Sequence, residues 1–145
     1  MVCTFFGHRN CPKEIESILH STILDLIVNK NVTEFYVGNH GDFDSMARRI
    51  LINLSKLYPI KYTVVLAYMP REKSDPEDEN PNDTLLPDGM ESTPPKFAID
   101  RRNRWMLKQS DYVVTYVRHS VGGAAHYKEL AEKQKKFIIN LWDKP

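Results

Sequence analysis

Apolar residues along this chain alternate between two kinds of pattern. Short runs rich in β-branched and aromatic residues occur at Val2–Phe6, Glu34–Val37, Tyr62–Tyr68, Tyr112–Val117 and Phe137–Leu141. They are too short for lone helices and predict five strands. Between them the spacing becomes helical. Ile15, Ile18, Leu19, Ile23, Leu26 and Ile27 share one face, with Pro12 suited to the first helical position behind Asn10 or Cys11 as cap. Phe43, Met46, Ala47, Ile50, Leu51 and Leu54 repeat the pattern, with Asp42 or Asp44 as cap and Pro59 as terminator. Phe97–Gln109 predicts a third helix. Ala98, Trp105 and Met106 share its apolar face with Arg102; Arg101 lies at the margin, and Asp100, Asn103 and Arg104 point elsewhere. Ala124–Lys136 has the composition of a fourth helix. Strands alternating with helices predict an α/β fold: a Rossmann-like three-layer sandwich around a five-stranded, mainly parallel sheet.

One segment breaks the alternation. Residues 69–96 hold six of the chain's nine prolines and a cluster of acids. They predict a long loop, either a functional lid or a solvated excursion. Its carboxylates show no regular ligand spacing. The 145-residue chain, this loop included, fits a single domain with a real core.

Composition narrows the partners. The net charge is +1, with 41% hydrophobic and 27% charged residues, ordinary for a globular protein. That balance gives no global attraction to DNA or to a membrane surface, and no basic, aromatic-laced surface is evident. No apolar run is long enough to span a bilayer. Met1–Phe6 lacks a basic leader and a cleavage pattern, and two cysteines, Cys3 and Cys11, read as reduced thiols. The expectation is a cytoplasmic protein.

The candidate chemistry lies where predicted strands end. In parallel sheets, ligands bind beyond the carboxyl ends of the strands. Three polar, glycine-containing loops leave those ends: Gly7-His8-Arg9, Gly38-Asn39-His40-Gly41, and Arg118-His119-Ser120-Val121-Gly122-Gly123. The last precedes the helix that starts near Ala124. Backbone N–H groups, a helix N-terminus and guanidinium groups suit a phosphate-bearing ligand. Arg102 must find a partner or an opening, because burying an unpaired charge is costly. It either snorkels past Trp105 or pairs with an acid such as Asp111, or it clamps a ligand anion. Glu129 is either a surface partner of Lys133 or a carboxylate serving a site beside its helix. The histidines show no metal-binding spacing, so neither metal nor cofactor is expected.

These residues resemble the SLOG superfamily, which groups the Lonely-guy cytokinin-activating phosphoribohydrolases with the SMF/DprA DNA-processing proteins. The resemblance covers most of the chain outside the Pro-rich loop. Cys3-Thr-Phe-Phe-Gly-His-Arg9 and Phe35-Tyr-Val-Gly-Asn-His-Gly-Asp-Phe-Asp44 look like bacterial SLOG-type proteins of unknown function. Gly41 to Asp44 is similar to the Gly-Ile-Asp turn of the DprA branch. Asp100–Asp111 and Val121-Gly-Gly-Ala-Ala-His-Tyr-Lys-Glu129 resemble the Arg-bearing helix and the P-G-G-x-G-T-x-x-E motif of the Lonely-guy enzymes. The resemblance makes Arg102 the active-site arginine, Gly122 and Gly123 the phosphate-loop glycines, and Glu129 the final glutamate. Val121, Ala125 and His126 stand where that motif has proline, glycine and threonine.

Two functions follow as expectations. The first is a nucleotide-binding module, of sensor type. The helix from Ala124 holds the phosphate behind Gly122-Gly123; Arg102, Arg9 and Arg118 add charge; and the loop Gly38, Asn39, Gly41, Asp44 lines the base or ribose, with Gly7, His8 and Ser120 completing the edge. The second is a hydrolase of the N-glycosidic bond of nucleoside 5′-monophosphates, with Arg102 and Glu129 catalytic. The related enzymes build sites near subunit contacts, which implies a homodimer.

Overall fold

A computed structural model describes residues 1–69, 83–118 and 122–143. Its centre is β1 (Val2–Gly7), whose side chains alternate between two cores. Cys3 and Phe5 face one layer and Phe6 the other. The chain continues through α1 (Ile15–Asn29), β2 (Glu34–Val37), α2 (Asp42–Ser55) and β3 (Lys61–Val65). After β4 (Thr84–Leu85) and a single 3-10 turn come α3 (Pro95–Gln109), β5 (Tyr112–Tyr116), α4 (Gly123–Lys133) and β6 (Phe137–Asn140).

The sheet has six strands in the order β4-β3-β2-β1-β5-β6, and every pairing is parallel. The expected count of five therefore misses β4, inside the segment read as loop. Two residues carry no periodicity to read. β4 exists because backbone bonds join Val64 N–H to Asp83 O and Leu66 N–H to Leu85 O, at 2.7 and 2.8 Å. Arg48 of α2 also donates to both Asp83 carboxylate oxygens at 3.1 Å. Residues 70–82 of that segment lie outside the described residues.

Two layers of helix cover the sheet. α1 and α2 bury Leu19, Ile23, Leu26, Phe43, Ala47 and Leu51 against Phe5, Phe35, Val114 and Tyr116. α3 and α4 bury Met106, Leu107, Tyr127 and Ala131 against Phe6, Val65 and Val113. Each such large side chain contributes about 1.5–3 kcal/mol when withdrawn from water. The chain runs one way from β1 through β2 to β3, then returns to the other side of β1 as β5. The sheet's switch point therefore lies beside the C-terminal end of β1, where ligand crevices form in this architecture.

Local details differ from expectation at two helix starts. α1 begins at Ile15, because Pro12 O accepts from Ile15 N–H in a preceding turn at 3.1 Å. Neither Asp42 nor Asp44 caps α2; its N-cap is Gly41. Asp42 instead accepts from Cys11 N–H at 3.2 Å and Asp44 from His40 N–H at 3.1 Å. Both aspartates face the neighbouring loops, which converge at the strand ends. Among the described residues, no helix is long and apolar enough to cross a membrane.

Candidate functional site

The C-terminal end of β1 opens into a cleft of about 360 Å³. Its floor is the strand end itself, Phe5, Phe6 and Gly7, continuing into His8 and Arg9. α2 and the loop before it contribute His40 and Asp44; α3 contributes Ile99, Arg102, Asn103 and Met106; α4 contributes Gly123, Ala124 and Tyr127. The volume is in the range of small-molecule sites, and the wall mixes aromatic surface with a few convergent polar groups.

Arg102 organises the polar side. Only 2% of it is exposed, so its charge must be met by donated hydrogen bonds. Nε donates to Asn103 Oδ1 at 2.7 Å; Nη1 donates to Asn39 Oδ1 at 3.2 Å and to the Val65 carbonyl at 3.1 Å. Nη2 lies 3.4 Å from His40 Nδ1. A guanidinium only donates, so this contact places the His40 proton on Nε2 of a neutral ring. The pKa of His40 is lowered accordingly, by burial first and then by the charges of Arg102 and Arg9. These bonds use four of the five guanidinium N–H groups. The pairing of Arg102 with Asp111 does not form. Asp111 accepts from Val2 N–H at 3.0 Å, tying the N-terminal ends of β1 and β5 together.

Asp44 stands close by, with no ion pair to Arg102. A Cβ on Gly38 would lie 2.7 Å from Asp44 Oδ2 and 3.0 Å from Arg102 Nη1. Only a residue without a side chain fits between them. Burial pushes the Asp44 carboxyl up to about 6, against the opposing pull of the His40 N–H and of Arg102.

The other side of the cleft is a helix start. Gly122, with φ +115, is the N-cap of α4, and the first turn carries no acid and no side-chain cap. That φ suits glycine. A Cβ at Gly122 or Gly123 would meet nothing within 4 Å, so the turn borders open space. Gly123 and Ala124 line the cleft, and the positive end of the helix dipole lies there. α3 and α4 are tied by Tyr127, whose hydroxyl donates to Asp100 Oδ1 at 2.7 Å. Burial and that bond push the Tyr127 hydroxyl up to about 12. Burial would raise Asp100, but Tyr127 and Arg104 together hold it below its usual value.

Of the residues singled out from sequence, Gly7, His8, Arg9, Asp44, Arg102, Gly123 and Ala124 line this cleft. Gly38 and Asn39 support Arg102 from behind. His8 Nε2 accepts from Arg118 N–H at 2.8 Å, joining the ends of β1 and β5. Gly41 packs against the Arg9 backbone. Arg118 and Glu129 are elsewhere. They line a second groove of about 380 Å³ with Lys128, Glu132, Trp142 and Asp143. There the Arg118 guanidinium lies 5.1 Å from the Trp142 ring, and Glu129 is exposed, 3.6 Å from Lys133. Ser120 lies outside the described residues. Sequence reasoning missed Asn103, which turns inward and is buried because it holds Arg102 Nε. It also left out Tyr127 and the aromatic floor, whose signal was their position at the strand end and on the sheet-facing stripe of α4. Among the described residues, no three His, Cys, Asp or Glu side chains converge as a metal site would require.

Comparison with known proteins adds a fold relationship. No protein-family profile matches the chain, and no curated protein sequence matches it. Among solved structures, the chain is similar to DNA processing protein A (DprA) from Streptococcus pneumoniae, with a TM-score of 0.66 and 16% sequence identity. The match covers 94% of this chain and 48% of that one. The chain therefore spans about half the length of that protein and shares its Rossmann-like fold.

Proposed function

We propose that this chain is a SLOG-type module that binds a nucleotide or nucleotide-derived phosphorylated ligand in the cleft at the C-terminal edge of the sheet, as a sensor does. The observation that carries the reading is Arg102. It is a buried cation that lines a cleft, across from a helix start that has no acidic or capping side chain of its own. A guanidinium and a helix start on one small volume favour an anion. The aromatic and aliphatic floor suits a flat base, and the volume suits a mononucleotide. The DprA-like fold supports the superfamily and leaves the ligand open.

The test is thermal stabilisation by a panel of nucleoside monophosphates, followed by titration. A ligand at a hundredfold excess over its Kd adds about 2.7 kcal/mol to the folded state, a Tm rise of several degrees. Arg102→Lys keeps a cation but loses the planar fork; it is expected to weaken binding ten- to a hundredfold while the chain stays folded. No stabilisation by any member of the panel contradicts the reading, as does undiminished binding by the variant.

A hydrolytic reading stands second. It requires a carboxylate in the cleft, and among the described residues the one lining it is Asp44, with a carboxyl pushed up to about 6, suited to proton transfer near neutral pH. Glu129 enters that reading only through a second protomer. Release of free base that is lost in Asp44→Asn and kept in Glu129→Gln favours it. No release from any nucleotide that binds leaves the module as a binder.

A further inference from the structure

We infer that Asp44 is the specificity-determining residue of the cleft, and that it selects phosphorylated ligands carrying a free sugar hydroxyl. This rests on the reading that a phosphorylated small molecule occupies the site. One carboxylate oxygen of Asp44, Oδ2, accepts from His40 N–H at 3.1 Å. The other, Oδ1, accepts from none of the described residues and is not sealed from solvent, on a side chain that lines the cleft. It is an acceptor held in place with no donor among the described residues. Arg102 does not consume it: the two groups flank Gly38 within 3.0 Å of one point but form no ion pair.

The surrounding charges decide what it can take. An anionic ligand group cannot sit against a carboxylate. A ligand ammonium would have to approach between Asp44 and two guanidinium groups, Arg102 and Arg9, both lining the same cleft, and like charges in a shielded volume are costly. A neutral hydroxyl meets neither objection. It donates to Asp44 Oδ1 and can accept from the neutral His40 ring, whose Nε2–H is fixed by the Arg102 contact. Phosphate at the α4 start and hydroxyl at Asp44 give the cleft two unlike ends. Such a site disfavours an analogue lacking the hydroxyl, because that ligand displaces water from Asp44 Oδ1 and returns no donor to it.

The experiment titrates the intact chain calorimetrically with ribonucleoside 5′-monophosphates and with their 2′-deoxy and 2′,3′-dideoxy counterparts. The expected result is ribonucleotide binding at least tenfold tighter than dideoxynucleotide binding. The 2′-deoxy series reports which hydroxyl Asp44 takes. In Asp44→Asn, which keeps an acceptor for the His40 N–H, the discrimination falls below threefold. Asp44→Ser, shorter and neutral, gives the same loss if the carboxylate itself is responsible. Equal binding of ribo and dideoxy forms overturns the inference while leaving phosphate binding intact, and so does full discrimination in either variant. No binding by any series overturns both this inference and the reading it rests on.

Discussion

Arg102 and Asp44 carry opposite charges on either side of a glycine, and their burial has a measurable cost. The folded carboxyl of Asp44 titrates at about 6 against an ordinary 3.8. Between those pH values the folded chain holds a proton that the unfolded chain releases. The sign follows: stability falls as pH rises from about 4 to about 6, and the penalty persists above that window. A shift of this size corresponds to at most about 3 kcal/mol. Asp44→Asn removes the penalty, so urea denaturation should find the variant equal to the parent chain near pH 4 and more stable at pH 7. A stability difference that does not change with pH would mean that Asp44 is solvated. Arg102 differs, because its hydrogen bonds hold three elements together. Arg102→Ala takes the donor from two buried acceptors, Asn103 Oδ1 and the Val65 carbonyl, and should cost about 2–4 kcal/mol of stability by the same assay. At this scale the sequence was informative about Arg102, since a charge on an apolar helix face must be met somewhere. It was not informative about Asn103, whose inward turn depends on the Arg102 side chain and not on its own place on the helix.

At the scale of elements, α4 presents its N-terminus to the cleft and its polar face to the second groove. This separates two residues that look adjacent in sequence. Gly123 starts the helix at one site, while Glu129 lies on the flank that lines the other. A carboxylate at the start of α4 sets the two roles of that helix against each other. Gly123→Asp fits sterically, as a Cβ there meets nothing within 4 Å. It complements the helix dipole, worth about 0.3–1 kcal/mol, yet it repels a phosphate. The expected outcome is unchanged or slightly higher Tm together with loss of nucleotide binding, measured on the same preparation. A variant that binds normally would remove the phosphate from α4. The strands and helices were legible because each spans enough residues to repeat a period. β4 was not, because two residues paired at the sheet edge by backbone bonds leave no side-chain pattern.

For the whole molecule, the sheet order places the switch point beside β1, and the cleft lies there. That much follows from a parallel sheet whose chain reverses direction across its first strand. The shared fold with DprA raises the question of DNA. A net charge of +1 supplies little of the phosphate neutralisation on which nucleic-acid affinity depends. A labelled single-stranded oligonucleotide is therefore expected to show no saturable binding below about 100 µM at physiological salt. Tighter, strongly salt-dependent binding would point to a basic surface that the charge balance conceals.

Where the ligand sits is decided by a crystal structure of the chain soaked or grown with the ribonucleoside monophosphate that stabilises it most. The phosphate is expected within hydrogen-bond distance of the Gly123 and Ala124 N–H groups, with the sugar turned toward Asp44. A nucleotide seated instead in the groove of Arg118 and Trp142, or a cleft left empty at saturating ligand, would contradict it.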